Sequence, residues 1–420
     1  MKKTPLLLVT ILCAAAALAQ APMSFEDCLL EAGRNNPDLY AAREGVNVAR
    51  ANLLASYSPF LPQVSASAGA SRNNQELDTG YQSTTSYRAG ISADQNLFNG
   101  FQDAARLNQS RARQRQAELS LQRVKADLSA EITSAFARLL YAQDYLLLAE
   151  NIAARRKDNF ALVEMRFESG TEDRGSLLRS KALFSQALQD VTEAKRQISV
   201  ARCNLNKALG RQEDMPVAVT GTWQQIKNAP EDPPDFGELA RTTPEYHTAE
   251  AQCAIAGEQV RVARSGFLPT WSVSADFGLS DDTSVIPHDE SWSVGTSIGL
   301  SIFDGAQTYF SYRSAQASLR AAQSQLTSTV NSTRSSLEEK FTSWANSAER
   351  VRLQSELLEA AETRMEIANI KYSNGLMTFQ DWDTIGNDLI SNQQSMLSRE
   401  MNAIVTQAEW KKAAGMSVIP

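Results

Sequence analysis

The stretch SWSVGTSIGLSIFDG, residues 291–305, decides the fold. Its side chains alternate without a break. Trp292, Val294, Thr296, Ile298, Leu300 and Ile302 fall on one face of an extended chain, and Ser291, Ser293, Gly295, Ser297, Gly299 and Ser301 on the other, because strand side chains have a period of two. One face is apolar, the other small and polar. The Asp304-Gly305 turn then opens into about 65 residues without proline, a length that predicts helix. A strand over 291–302 feeding a helix over 305–372 is an unusual pairing for a soluble domain.

An earlier copy of the same passage stands at residues 86–100, SYRAGISADQNLFNG, with Phe98-Asn99-Gly100 in the place of Phe303-Asp304-Gly305. Other landmarks keep this offset of 205 residues: Arg166-Phe167-Glu168-Ser169-Gly170 against Lys371-Tyr372-Ser373-Asn374-Gly375, and Ala208-Leu209-Gly210 against Ala413-Ala414-Gly415. Upstream the offset is 207, where Asn36-Pro37-Asp38 matches Thr243-Pro244-Glu245 and Phe60-Leu61-Pro62 matches Phe267-Leu268-Pro269. So many registered Pro and Gly positions mark a tandem repeat. The first repeat covers 20–210 and the second 238–420. Between them, 211–237 carries Pro216, Pro230, Pro233 and Pro234 and reads as a linker.

Within the first repeat the pattern predicts a helix over 24–57, a strand over 63–71, a polar loop over 72–85, a strand over 86–97, and helices over 101–167 and 174–209. The second repeat predicts a helix over 238–264, strands over 270–280 and 291–302, and helices over 305–372 and 378–414. At ~1.5 Å per residue the longest of these helices spans about 100 Å. The return helix has a heptad in which Leu177, Phe184, Val191, Ile198 and Leu205 alternate with Ser180, Ala187, Ala194, Ala201 and Ala208. Such a stripe of small residues lets neighbouring helices approach closely, as an ordinary helical hairpin also allows.

Composition narrows the function classes. A net charge of −7 over 420 residues, with no basic cluster, gives no nucleic-acid footprint. Residues 1–19 begin with Lys2 and Lys3, continue apolar, and end Ala17-Leu18-Ala19, the pattern of a secretory leader. Beyond it Cys28, Cys203 and Cys253 are odd in number and lack metal-ligand spacing. His247 and His288 are isolated, and no phosphate-binding glycine loop occurs, so neither an enzyme nor a cofactor is expected.

The four strands fit the ~9–11 tilted residues that cross a bilayer. Their apolar faces place Trp271, Val273, Phe277, Trp292, Val294, Ile298 and Leu300 toward lipid. The opposite faces, serines and glycines with Arg88, Asp94 and Asp276, read as a wet interior. Four strands cannot close a barrel, and an open sheet edge in lipid leaves backbone groups unpaired, so chains must associate. Two chains give eight strands with a filled interior; three give twelve and a lumen, the better expectation. A periplasmic coiled-coil adaptor without a barrel is the alternative, and it leaves the aromatic strands unexplained.

Helix, strand pair, long helix, turn and return helix, twice over, resemble the TolC family of outer-membrane efflux proteins. The resemblance rests on the two Phe-Leu-Pro entries, the Phe-Asn-Gly and Phe-Asp-Gly exits, and the turns at Gly170 and Gly375. It implies an α+β membrane protein of the bacterial outer membrane, a homotrimer whose 12-stranded β-barrel continues into a long periplasmic α-helical barrel, served by a periplasmic adaptor and an inner-membrane pump. It further implies that Gly170, Thr171, Gly375, Leu376 and Met377 form an adaptor-docking tip, with Asp381, Tyr372 and Asp383 at the pore constriction. Asp381, six residues after Gly375, is the expected pore-lining acid. Asp383 sits about 200° further around the helix, at ~3.6 residues per turn, and cannot share its face. Tyr372 matches a latch tyrosine of the family, but Met377 replaces the latch arginine and Ser176 the latch acid. Glu172, Asp173 and Arg174 are the local candidates for another latch.

Overall fold

The computed structural model describes residues 22–77, 80–223 and 233–419. The expected leader at 1–19 and Pro230 of the linker lie outside the described residues. In chain order the elements are α1 (Phe25–Asn35), α2 (Pro37–Ala55), β1 (Gln63–Leu77), β2 (Gly80–Asn99), α3 (Gln102–Glu168), α4 (Arg174–Leu209), α5 (Phe236–Ala240), α6 (Pro244–Ser265), β3 (Thr270–Asp281), β4 (Asp289–Gly299), α7 (Gln307–Ser373) and α8 (Phe379–Ala413). Among the described residues no helix is long and apolar enough to cross a membrane.

The chain forms two compact units, and each draws on both sequence repeats. The sheet belongs to the unit whose described residues are 36–77, 80–131, 233–350 and 402–419. Its four antiparallel strands run in chain order, β1-β2-β3-β4. Trp271 pairs with Ile298, Ala275 with Val294 and Phe277 with Trp292. Directly opposed residues share a face, so Trp271, Val273, Phe277, Trp292, Val294 and Ile298 make one apolar surface. All of these are exposed except Val273, which is half-buried. On the other face serines bond across strands, Ser65 to Ser92 at 2.8 Å and Ser272 to Ser297 at 2.9 Å.

Three boundaries differ from the sequence pattern. Of the residues 72–85 expected as a loop, 72–77 and 80–85 instead continue β1 and β2 as paired strands, from Ser71 opposite Ser86 to Leu77 opposite Gly80. The β2–β3 pairing stops at Tyr87 and Asp281, so this polar ribbon outruns the rest of the sheet. Strand β4 ends at Gly299, leaving Leu300 beyond the last pair, because its partner β3 starts at Thr270 after Pro269, which has no N–H to donate. Finally, the predicted helices 24–57 and 238–264 are each broken before a proline. Asn36 caps α2 by accepting from the amides of Asp38 and Leu39, and Thr243 caps α6 by accepting from Tyr246.

At both sheet-to-helix exits two successive residues adopt left-handed backbone, Gly100-Phe101 and Gly305-Ala306. A Cβ on Gly100 would lie 2.7 Å from the carbonyl oxygen of Ser265, so that position is closed to side chains. The same unit has a core in which Leu337 packs with Ala240 and Ala414. Beside it Trp344 and Trp410 stack at 5.1 Å, and Phe341 meets both edge-on.

The second unit, 22–35 with 132–223 and 351–401 as described, is helical. Its α4 stripe of Ser180, Ala187, Ala194 and Ala201 is buried, and Ala187 packs against Ile152 and Ala153 of α3. Phe25 meets Phe136 edge-on, Met23 bridges to Val219, and Gln143 holds Val219 through both its amide ends. Arg211 forms a bidentate pair with Glu31 beneath buried Cys28. The three cysteines beyond the leader are free thiols, and burial pushes the Cys28 thiol up to about 12.

Candidate functional site: the paired helical turns

Both interhelical turns lie in the helical unit, and both are built the same way. After α3, the amide of Gly170 bonds the carbonyl of Phe167 and that of Thr171 reaches back to Arg166; after α7, Gly375 bonds Tyr372 and Leu376 reaches Lys371. These pairs are Schellman closures, which need a left-handed residue, and Gly170 and Gly375 have φ of +75° and +74°. Thr171 is tied back again by its hydroxyl, at 3.1 Å from the Arg166 carbonyl. Leu376 projects with 77% of its surface exposed, while Met377 is half-buried against an aromatic cluster.

The return helices start from capped turns. Asp173 accepts from the amides of Gly175 and Ser176 and from the Ser176 hydroxyl, and these bonds hold its carboxyl below the usual range. Ser176, at the family's acid position, is thus consumed by the cap. On α8, Thr378 and Asp381 form a reciprocal cap: the Thr378 hydroxyl donates to Asp381 at 2.7 Å and accepts its amide at 3.2 Å. Asp381 remains exposed.

Tyr372 and Asp383, expected with Asp381 at the constriction, are both buried in the helical unit. Tyr372 is 1% exposed, with its ring stacked on Trp382 at 4.3 Å and the Arg166 guanidinium 4.3 Å from its other side. Its hydroxyl donates to Glu172 at 3.0 Å. Burial first, then the Glu172 bond, pushes this phenol up to about 12. Arg166 also donates to the carbonyls of Tyr372 and Ser373, so one arginine of α3 fastens the end of α7. Of the three latch candidates, then, Glu172 bonds the tyrosine, Asp173 caps a helix, and Arg174 opens α4 without a side-chain hydrogen bond or ion pair among the described residues.

Asp383 is 3% exposed and held by two arginines. Its Oδ1 accepts from Arg156 at 3.1 Å and its Oδ2 from Arg179 at 2.9 Å, while Arg156 donates a further bond to Asn387 at 2.6 Å. One carboxylate therefore joins α3, α4 and α8. Neither arginine is marked by spacing, since Arg156 lies 227 residues before Asp383. The legible signal was Asp383 itself, a charge on the α8 face that carries Phe379, Trp382, Gly386 and Ile390. Between the turns opens a cavity of about 920 Å³ lined by Arg166, Glu172, Arg179, Asn374 and Met377. Among the described residues no group of His, Cys, Asp and Glu is arranged to hold a metal.

The chain matches the outer membrane efflux protein family twice, over residues 29–211 and 238–415. It is 27% identical over 273 residues to the pyoverdine export outer membrane protein OpmQ of Pseudomonas putida, an alignment spanning 61% of this chain and 57% of that relative. It is 22% identical to the outer membrane protein TolC of Escherichia coli, over 99% of this chain and 86% of that one. In space it resembles a crystal structure of CusC at a TM-score of 0.85 and 16% identity, covering 94% of this chain and 92% of that one. Two matches of the family, together covering most of the length, account for the duplicated architecture: this chain belongs to the outer membrane efflux protein family.

Proposed function

We propose that the protein is an outer-membrane channel, the exit duct of a tripartite efflux or secretion system that carries substrates from an inner-membrane pump and a periplasmic adaptor to the outside. The observation that carries this reading is the four-stranded sheet, apolar on one exposed face and polar on the other, continuing directly into two 67-residue helices. Three chains would join β1 of one sheet to β4 of the next and close a 12-stranded barrel, with no free edge left in lipid. Trp271, Val273, Phe277, Trp292, Val294 and Ile298 would then face lipid, with Leu300 at the rim.

In the helical unit, Gly170, Thr171, Gly375, Leu376 and Met377 form the surface offered to the adaptor, with exposed Leu376 as its apolar anchor. Asp381, capped in place and exposed, would repeat three times around the axis, and a ring of carboxylates favours cations. Single-channel recording in planar bilayers tests both parts. Wild type is expected to conduct with cation preference and Asp381→Asn to weaken that preference; well-inserted protein without such a preference removes Asp381 from the pore, and failure to insert removes the barrel.

A further inference from the structure

In the helical unit, α3, α7 and α8 enclose a second cavity of about 170 Å³, lined by Arg155, Arg156, Asp158, Asn159, Asn369 and Gly386 among others. One of its two guanidiniums has no carboxylate partner among the described residues. Both oxygens of Asp383 are occupied, one by Arg156 and the other by Arg179. Arg155, half-buried, makes one hydrogen bond among the described residues, from Nη2 to the neutral amide oxygen of Gln393 at 2.8 Å. Arg156 is thus neutralised by Asp383, whereas Arg155 pairs with no carboxylate among the described residues; Asp158, which also lines the cavity, is exposed and forms no ion pair with it.

An arginine desolvated beside a second arginine is costly, and burial, then the Arg156 charge, holds its pKa below the ordinary arginine value. A bound anion offsets both effects. The cavity suits one, being several times the ~30 Å³ that a water occupies in the liquid. Gly386 keeps the space open, since a Cβ there would meet nothing nearer than Met365 at 3.7 Å. Asn369 spends its amide oxygen on the Trp382 indole, so its NH₂ remains as a donor, and Asn159 adds another amide. Planar guanidinium groups match carboxylate and phosphate oxygens in paired hydrogen bonds.

We propose that Arg155 and Arg156 form a binding site for one small free oxyanion per chain, of the phosphate or carboxylate class. The site is separate from the duct's cation-favouring ring, and its existence does not depend on conduction. Equilibrium dialysis of the full, detergent-solubilised protein against radiolabelled inorganic phosphate, at fixed ionic strength in chloride, tests it. Saturable binding at one phosphate per chain, displaced by acetate, is expected. Arg155→Gln should weaken it at least tenfold, and Gly386→Ala, which keeps every charge and favours helix while placing a methyl in the cavity, at least threefold. Exposed Arg352→Gln should leave it unchanged. Absence of saturable binding to wild type, or equal affinity in Arg155→Gln and wild type, overturns the site.

Discussion

The carboxylate of Asp383 and the guanidinium of Arg156 meet at 3.1 Å in the interior, 3% and 7% exposed, from helices separated by most of the sequence. A buried pair of this kind is weak as a source of net stability but expensive to break on one side only. Asp383→Ala is expected to destabilise the helical unit by about 3–5 kcal/mol, because Arg156 is left charged and buried. The double variant Asp383→Leu with Arg156→Met should lose much less. Hydrogen exchange along α8 reads the difference, and equal losses in both would show that the ion pair has no part in it.

Tyr372 ties its state to alkaline pH. Its phenol ionises near 12 in the folded chain against an ordinary value near 10, so the neutral form is favoured by folding. The corresponding stability is fully present below about pH 10 and is lost as pH rises through about 12. Burial also pushes up the Tyr141 and Tyr145 phenols, so absorbance of tyrosinate should show several late-titrating tyrosines, one of which Tyr372→Phe removes. The same variant keeps the Trp382 stack and costs roughly 1 kcal/mol for the lost bond to Glu172.

Asp173 works in the opposite direction. Its folded pKa is depressed by the cap bonds, so the support it lends α4 is present above the usual carboxylate range and lost as pH falls through the lower native value. Protection factors at 174–178, taken against the intrinsic exchange rate at each pH, should fall in acid in wild type, and Asp173→Ala should show low protection at every pH.

The turn glycines should differ in their tolerance of alanine. Gly170 and Gly375 have positive φ but open space for a Cβ, so each alanine costs roughly 1–2 kcal/mol of backbone strain alone. At Gly415 a Cβ would lie 2.3 Å from Cδ of Pro244, adding a collision to the strain. Thermal unfolding should therefore rank Gly415→Ala well below the other two.

What was legible in the sequence is what repeats or alternates. The glycine turns, the exits and the membrane-width part of the strands follow from local chemistry and from duplication. The ribbon at 71–86 was hidden because period-two apolar patterning appears only where one face of a sheet meets something apolar, and this hairpin is polar on both sides. The breaks before Pro37 and Pro244 were written in Asn36 and Thr243 as cap residues. The inward turn of Tyr372 and Asp383 was not, since it depends on Arg166, Arg156 and Arg179, which reach them only after the chain has folded. Asp381 stood apart from Asp383 on helical geometry alone.

The two outer strands also constrain how the protein is made. Among the described residues of one chain, β1 and β4 each have a row of N–H and C=O groups that no other strand takes up. In hydrocarbon each such group costs several kcal/mol, so a solitary chain has no resting state in the bilayer. For the three-chain barrel proposed above, insertion and oligomerisation would then be a single kinetic event, with a rate that rises steeply with chain concentration. A variant crippled in one edge strand should accordingly poison its normal siblings when the two are co-expressed.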